Sequence, residues 1–184
     1  MGYYIQTPET SFAIRTDDLP RFFDLVSNLM SDENVEENGH GGSYADGGKT
    51  QSWYSWVSTD AVRRAVADRD IVRVFEEWGY ELELVSPFGS ELDFLNEANG
   101  ETIFRLDIRN GDAKIGDEET FFAAIAPVVV DGSYLDVRGE DGAEWRWMWK
   151  NGKFYSQDVE SKTINFGEPN EIVFQDSNKT KENA

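Results

Sequence analysis

Three stretches of the chain bring together residue types that could do chemistry. The first, GSYADGGKT at 42–50, ends in Gly-Lys-Thr, the residues with which a phosphate-binding loop closes. VVVD at 128–131 has the form of the acidic strand end that would hold its magnesium. A backbone nest around phosphates needs a glycine five positions before Gly48. Ser43 stands there, and Gly42 comes one residue too early. Asp32, Glu33, Glu36 and Glu37 precede the loop where an apolar strand is required, and strand-like aromatics follow where a helix should begin. The stretch reads as a solvated glycine loop.

His40 is the sole histidine and follows Glu36 by four residues, a spacing that would serve a metal on a helix. Gly39, Gly41 and Gly42 oppose such a helix, and there is neither a second histidine nor a cysteine. No metal site is expected. An EF-hand calcium loop needs oxygens at set positions, and Asp107–Asp117 offers Arg109 and Gly111 there. HGGS at 40–43 has the form of an esterase oxyanion loop, but no Gly-x-Ser-x-Gly nucleophile turn accompanies it. With 36 acidic residues, carboxylate-pair catalysis stays open as the alternative, yet no pair stands out. The expected catalytic set is empty, no cofactor is expected, and the chain reads as a non-enzyme.

Charge is the dominant chemical property. There are 36 Asp and Glu against 17 Lys and Arg, a formal net of -19 over 184 residues. Each of the stretches 1–60, 61–110, 111–167 and 168–184 carries more acids than bases, so the excess belongs to the folded surface. Such a field argues against nucleic acid or anionic membrane as a direct ligand. It leaves basic protein surfaces, cations or plain solvation, including adaptation to high salt. Duplex DNA carries a charge every ~1.7 Å, so nineteen charges match roughly 32 Å of duplex, about one turn. A protein this acidic can therefore present a DNA-like field to a basic cleft. The candidate binding residues are Asp32, Glu33, Glu36, Glu37, Asp117, Glu118, Glu119, Glu140, Asp141 and Glu144. The expected partner is a basic host protein, such as a nucleic-acid-binding effector complex. An oligomeric regulatory module is a further alternative, and the oligomeric state is left open.

Composition supports a folded chain. Aromatics make up 14%, whereas disordered chains are poor in them. The absence of cysteine suits a reducing cytoplasm. No apolar run approaches the roughly 20 residues of a membrane span, and MGYYIQTPET lacks the basic and apolar regions of a secretory signal. The expected location is the cytoplasm.

The elements that must position these residues are readable from periodicity. YYI (3–5) and SFAIR (11–15) read as short strands, followed by a helix over about 17–30 with Leu19, Phe22, Phe23, Val26, Leu29 and Met30 inward. Residues 31–52 read as a long polar loop and WYSWV (53–57) as a strand. Ser58 or Thr59 caps a helical stretch to Trp78 that Asp68 and Asp70 can divide, with Gly79 as its stop. YELELVS (80–86) alternates as a strand does, and 91–115 reads as a hairpin turning at Ala98–Gly100. Asp117 caps a third helix that Pro127 ends.

The stretch 132–158 predicts a three-stranded meander with turns at Asp141-Gly142 and Asn151-Gly152. Alternation puts Trp145, Trp147 and Trp149 on one face and Arg146, Met148 and Lys150 on the other. The tryptophan row reads as core packed on the third helix rather than as a ligand platform. TINF (163–166) would add a strand, and 168–184 reads as a polar, frayed tail. The expected fold is one α+β domain over 1–167, an antiparallel sheet with two or three packed helices. An echo between Asp17–Phe23 and Asp117–Phe122 leaves open two related β-α-β-β halves, 1–86 and 87–167.

At MGYY (1–4), GDEETFF (116–122) and DGSYLDVRGEDGAEWRWMWKNGK (131–153) the chain resembles small proteins of bacteriophages and prophages. Those share the Met-Gly-Tyr-Tyr start and a Gly-Glu-Asp-Gly…Trp…Asn-Gly-Lys hairpin. The resemblance covers under a third of the chain and transfers no site residues. It implies a ferredoxin-like α+β unit and a location in the host cell. It also implies inhibition of a host defence system, of the anti-restriction or anti-CRISPR kind.

Overall fold

The computed structural model describes residues 3–45, 47–84, 102–108, 113–159 and 169–173. Strand β1 (Tyr4–Ile14) is continuous where two short strands were expected. Its register against a later strand shifts between Gln6 and Glu9. That bulge accommodates Pro8, which has no N–H to give a ladder. A 3-10 turn (Thr16–Asp18) leads into α1 (Leu19–Leu29), which tolerates Pro20 in its first turn and buries Phe22, Phe23, Val26 and Leu29.

Residues 31–52 are not a loop. The Ser31 hydroxyl accepts from the Asn34 N–H at 3.3 Å and caps α2 (Asp32–Asn38), whose Asn34 and Val35 are buried. Strands β2 (Gly41–Ala45) and β3 (Gly48–Trp53) follow as a hairpin. Ala45 pairs with Gly48, so two residues connect them, and Gly47 supplies a φ of 83°. The expected strand at 53–57 keeps only its first residue. Beyond Trp53 the chain turns, with the Val57 N–H on the Tyr54 carbonyl at 3.1 Å and Trp56 at a φ of 66°.

The division at Asp68 and Asp70 is as expected. Ser58 caps α3 (Thr59–Ala67), and the Asp70 carboxylate accepts from the Arg73 N–H at 3.0 Å to cap α4 (Ile71–Glu77). Gly79, at a φ of 85°, follows α4 and releases the chain into β4 (Tyr80–Leu84). Next come β5 (Thr102–Ile108) and β6 (Ala113–Lys114). The first arm and turn of the hairpin expected at 91–115 lie outside the described residues, as does TINF. Helix α5 (Glu118–Ile125) gives way at Pro127 to a 3-10 turn, Ala126–Val128.

The meander is present as β7 (Tyr134–Gly139), β8 (Glu144–Lys150) and β9 (Lys153–Asp158). Asn151 and Gly152 both take positive φ, 54° and 68°, and join Lys150 to Lys153 directly. The Asp141-Gly142 turn is one residue longer than expected: the Gly139 N–H bonds the Ala143 carbonyl, leaving Glu140, Asp141 and Gly142 as the loop. A short β10 (Asn170–Ile172) pairs with β9, inside the segment expected to fray.

Among the described residues all pairings in this sheet are antiparallel, in the order β10-β9-β8-β7-β1-β5-β4, with β6 beside the start of β1. Strands from 1–86 and 87–167 therefore alternate in one sheet, because β1 lies between β5 and β7. The fold is α+β as expected, with five helices described rather than two or three. No described helix is long and apolar enough to cross a membrane.

The tryptophan row faces the core, with Trp147 and Trp149 fully buried. Phe122 of α5 meets Tyr80, Trp147, Trp149 and Phe154 at ring-centroid distances of 5.2 to 5.7 Å. Each such ring contributes roughly 1.5–3 kcal/mol by leaving water. This aromatic layer fixes where α5 begins, and so where its acidic start lies.

Candidate functional site

Asp117 precedes α5, and its side chain is completely buried. It does not cap its own helix. The carboxylate turns instead to the Ser55 N–H at 2.7 Å, to the His40 N–H at 3.2 Å and to His40 Nδ1. One side chain thus ties the base of the β2–β3 hairpin and the turn after Trp53 to the start of α5. An imidazole held through Nδ1 with its remainder in water is the geometry of a general base. Two surface cavities of about 610 and 690 Å³ are lined by other residues, so neither sets a substrate against it.

Glu118 is buried as well. Desolvation pushes its carboxyl up to about 7, the Gly116 N–H at 2.5 Å works against that, and Asp117 and Glu119 add to it. Glu119 is half-buried and accepts from Trp147 Nε1 at 3.0 Å. The buried Tyr80 hydroxyl is held well above its ordinary value by desolvation, then by Glu118 and Glu119. Of the binding-surface candidates Asp117, Glu118 and Glu119, the structure corrects the first two by burying them. Asp117 and Glu118 are inside, and Glu119 is engaged by the core.

The other candidates lie outward. Asp32 is exposed and receives Arg63 Nη2 at 2.5 Å, while the same guanidinium donates to the Met30 carbonyl. Glu36 and Glu37 are exposed on α2, and Glu33 is half-buried. At the β7–β8 turn Glu140 is exposed, and Asp141 accepts from the Tyr3 hydroxyl and from the Ala143 N–H at 3.0 Å. Those two bonds, Tyr3 first, hold the Asp141 carboxyl below its usual range. Glu144 pairs with Arg138 at 2.8 Å. The candidates therefore fall into separate groups, one at α2, one at the β7–β8 turn and one inside.

Over β7–β10, three described cations on the outer face of the sheet are each paired with a carboxylate. Arg146 grips Asp136 in a two-pronged contact at 2.6 and 2.8 Å and lies 4.2 Å over the Tyr134 ring. Lys153 meets Glu171 at 2.8 Å, alongside the Arg138–Glu144 pair. The segment holding α1 and α2 has another balance: Asp17, Asp18, Asp24, Asp32, Glu33, Glu36 and Glu37 against Arg15 and Arg21.

Sequence reading missed two residues here, Trp53 and Trp56, by placing both in a strand. They are 37% and 61% exposed. Lys114 Nζ lies 4.7 Å over the Trp56 ring and 5.5 Å from that of Tyr4. The Trp53 indole covers Gly41 so closely that a Cβ there would meet it at 2.5 Å. Only the register of β2 on β3 brings Gly41 and Trp53 together. Comparisons with protein-family models, curated proteins and solved structures return no significant match.

Proposed function

We propose that the protein is an interaction protein that binds a basic surface of a partner protein through its α1–α2 end. The observation that carries this reading is the contrast in charge matching between the two layers. Over β7–β10 of the outer sheet face, Arg138, Arg146 and Lys153 each meet a carboxylate at salt-bridge distance, so these charges cancel locally. The α1–α2 segment holds seven carboxylates against Arg15 and Arg21, and of the seven Asp32 is met by Arg63 of α3. An excess of one sign over a compact surface steers an oppositely charged partner and speeds encounter.

The resemblance to phage proteins extends the proposal to a host effector whose nucleic-acid cleft would be blocked. Immobilised protein should capture a basic partner from host lysate at low salt, and duplex DNA should then displace it. Captured proteins that DNA leaves in place would contradict a blocked nucleic-acid site. An absence of any salt-sensitive capture would contradict the acidic contact itself.

A further inference from the structure

The cavity of about 690 Å³ lies between α2, β3 and the start of α3. Its size falls within the roughly 300–1,000 Å³ of ligand sites. Trp53, Glu36 and Asp60 line it together with Asp32, Lys49 and Arg63. Both cations are already engaged within the chain. Lys49 Nζ donates to the Gly39 carbonyl at 2.6 Å, and Arg63 donates to the Met30 carbonyl and to Asp32 at 2.6 and 2.5 Å.

Beside the hydroxyl and amide groups of β3 and the α3 start, the cavity offers a visitor an indole and two exposed carboxylates, Glu36 and Asp60, the latter in a long ion pair with Arg63 at 3.9 Å. The chain itself shows what an exposed indole takes. Trp56 carries its own Lys114 over the ring, whereas no described cation stands over Trp53. Tryptophan is the strongest of the aromatic faces for a cation, and a guanidinium stacks on it with less dehydration cost than an ammonium.

We infer that this groove seats an arginine side chain of the partner, stacked on Trp53 with Glu36 and Asp60 as its counter-ions. The inference rests on the acidic-contact reading above and names the point on that surface where the partner is gripped. An aromatic face between carboxylates adds a short-range term that a diffuse acidic surface lacks, and salt screens it less.

The test is calorimetric titration of the full chain with octa-arginine peptide at low salt. The pair Glu36→Gln/Asp60→Asn should weaken binding by about tenfold and Trp53→Leu by about fivefold, the size expected when a close cation contact is lost. Trp53→Phe, which keeps a ring, should recover part of the loss and guards against a misfolded variant. The pair Asp17→Asn/Asp24→Asn removes equal charge outside the groove and should cost about twofold at most. Equal losses from both charge pairs with Trp53→Leu silent would overturn the groove and leave the acidic contact standing. No binding by the unaltered chain would overturn both.

Discussion

Two of the described α-helices carry a pair of acidic residues in the first turn, and the fold uses them in opposite ways. Asp117, Glu118 and Glu119 open α5; Asp32 and Glu33 open α2, with Glu36 and Glu37 one turn on. Both starts have the composition that favours a helix N-terminus, where carboxylates face unpaired N–H groups. At α5 the aromatic layer draws the helix inward, and the acids become internal ties. At α2 Asn34 and Val35 are buried and Glu33 is half-buried, while Asp32, Glu36 and Glu37 stay exposed. Equal charge in sequence is thus unequal charge at the surface, and what packs against the helix decides the outcome.

The sharpest way to break the comparison is to remove the tie. Asp117→Ala leaves the part-buried Ser55 and His40 N–H groups without their carboxylate and frees the imidazole, and it should cost about 3 kcal/mol by urea unfolding. A loss under about 1 kcal/mol would mean that Asp117 is no more structural than the acids of α2.

Glu118 gives the next largest effect. Its folded-state pKa is raised from 4.5 to about 7, chiefly by burial. A raised carboxyl contributes stability that is fully present below the unfolded value and lost as pH climbs through the folded one. Its contribution should therefore fade between about pH 4.5 and 7. Glu118→Gln should leave the protein about 2–3 kcal/mol more stable than the unaltered chain at pH 8, and little changed at pH 4. Unfolding curves at the two pH values measure this.

At α2 the expected effects are smaller. Ser31→Ala removes the helix cap and should cost about 1 kcal/mol, seen as a lowered urea midpoint. Glu36→Gln with Glu37→Gln should shift stability by less than about 0.5 kcal/mol. The same pair should still weaken octa-arginine binding, which separates surface function from stability at these positions.

Much of the fold was legible because its signals are local. The stripe from Phe22 to Leu29, the Asn151-Gly152 turn, the break around Arg69 and the facing of Trp147 and Trp149 each follow from neighbours in sequence. Residues 31–52 failed on signals that were equally local. Ser31 three places before Asn34 marks a cap, and Asp46-Gly47 has the composition of the hairpin turns recognised elsewhere in the chain. Pro8 obscured β1, because a proline argues against a strand unless a bulge accepts it.

The site was less legible for a different reason. Asp117 meets His40 and Ser55, residues 77 and 62 positions away, and no periodicity announces a partner so distant. Lys114 reaches Trp56 and not Trp53, and the pairing of Tyr4 with Lys114 places that lysine.

The most direct test of the two helix starts is a carboxyl-carbon NMR titration of Glu118 and Glu36, with and without octa-arginine. Glu118 should titrate with a midpoint of about 7 that the peptide leaves unmoved, while the Glu36 resonance shifts as peptide binds. Glu118 titrating as an ordinary glutamate, or a Glu36 resonance indifferent to the peptide, would contradict the division between an internal and an external acidic helix start.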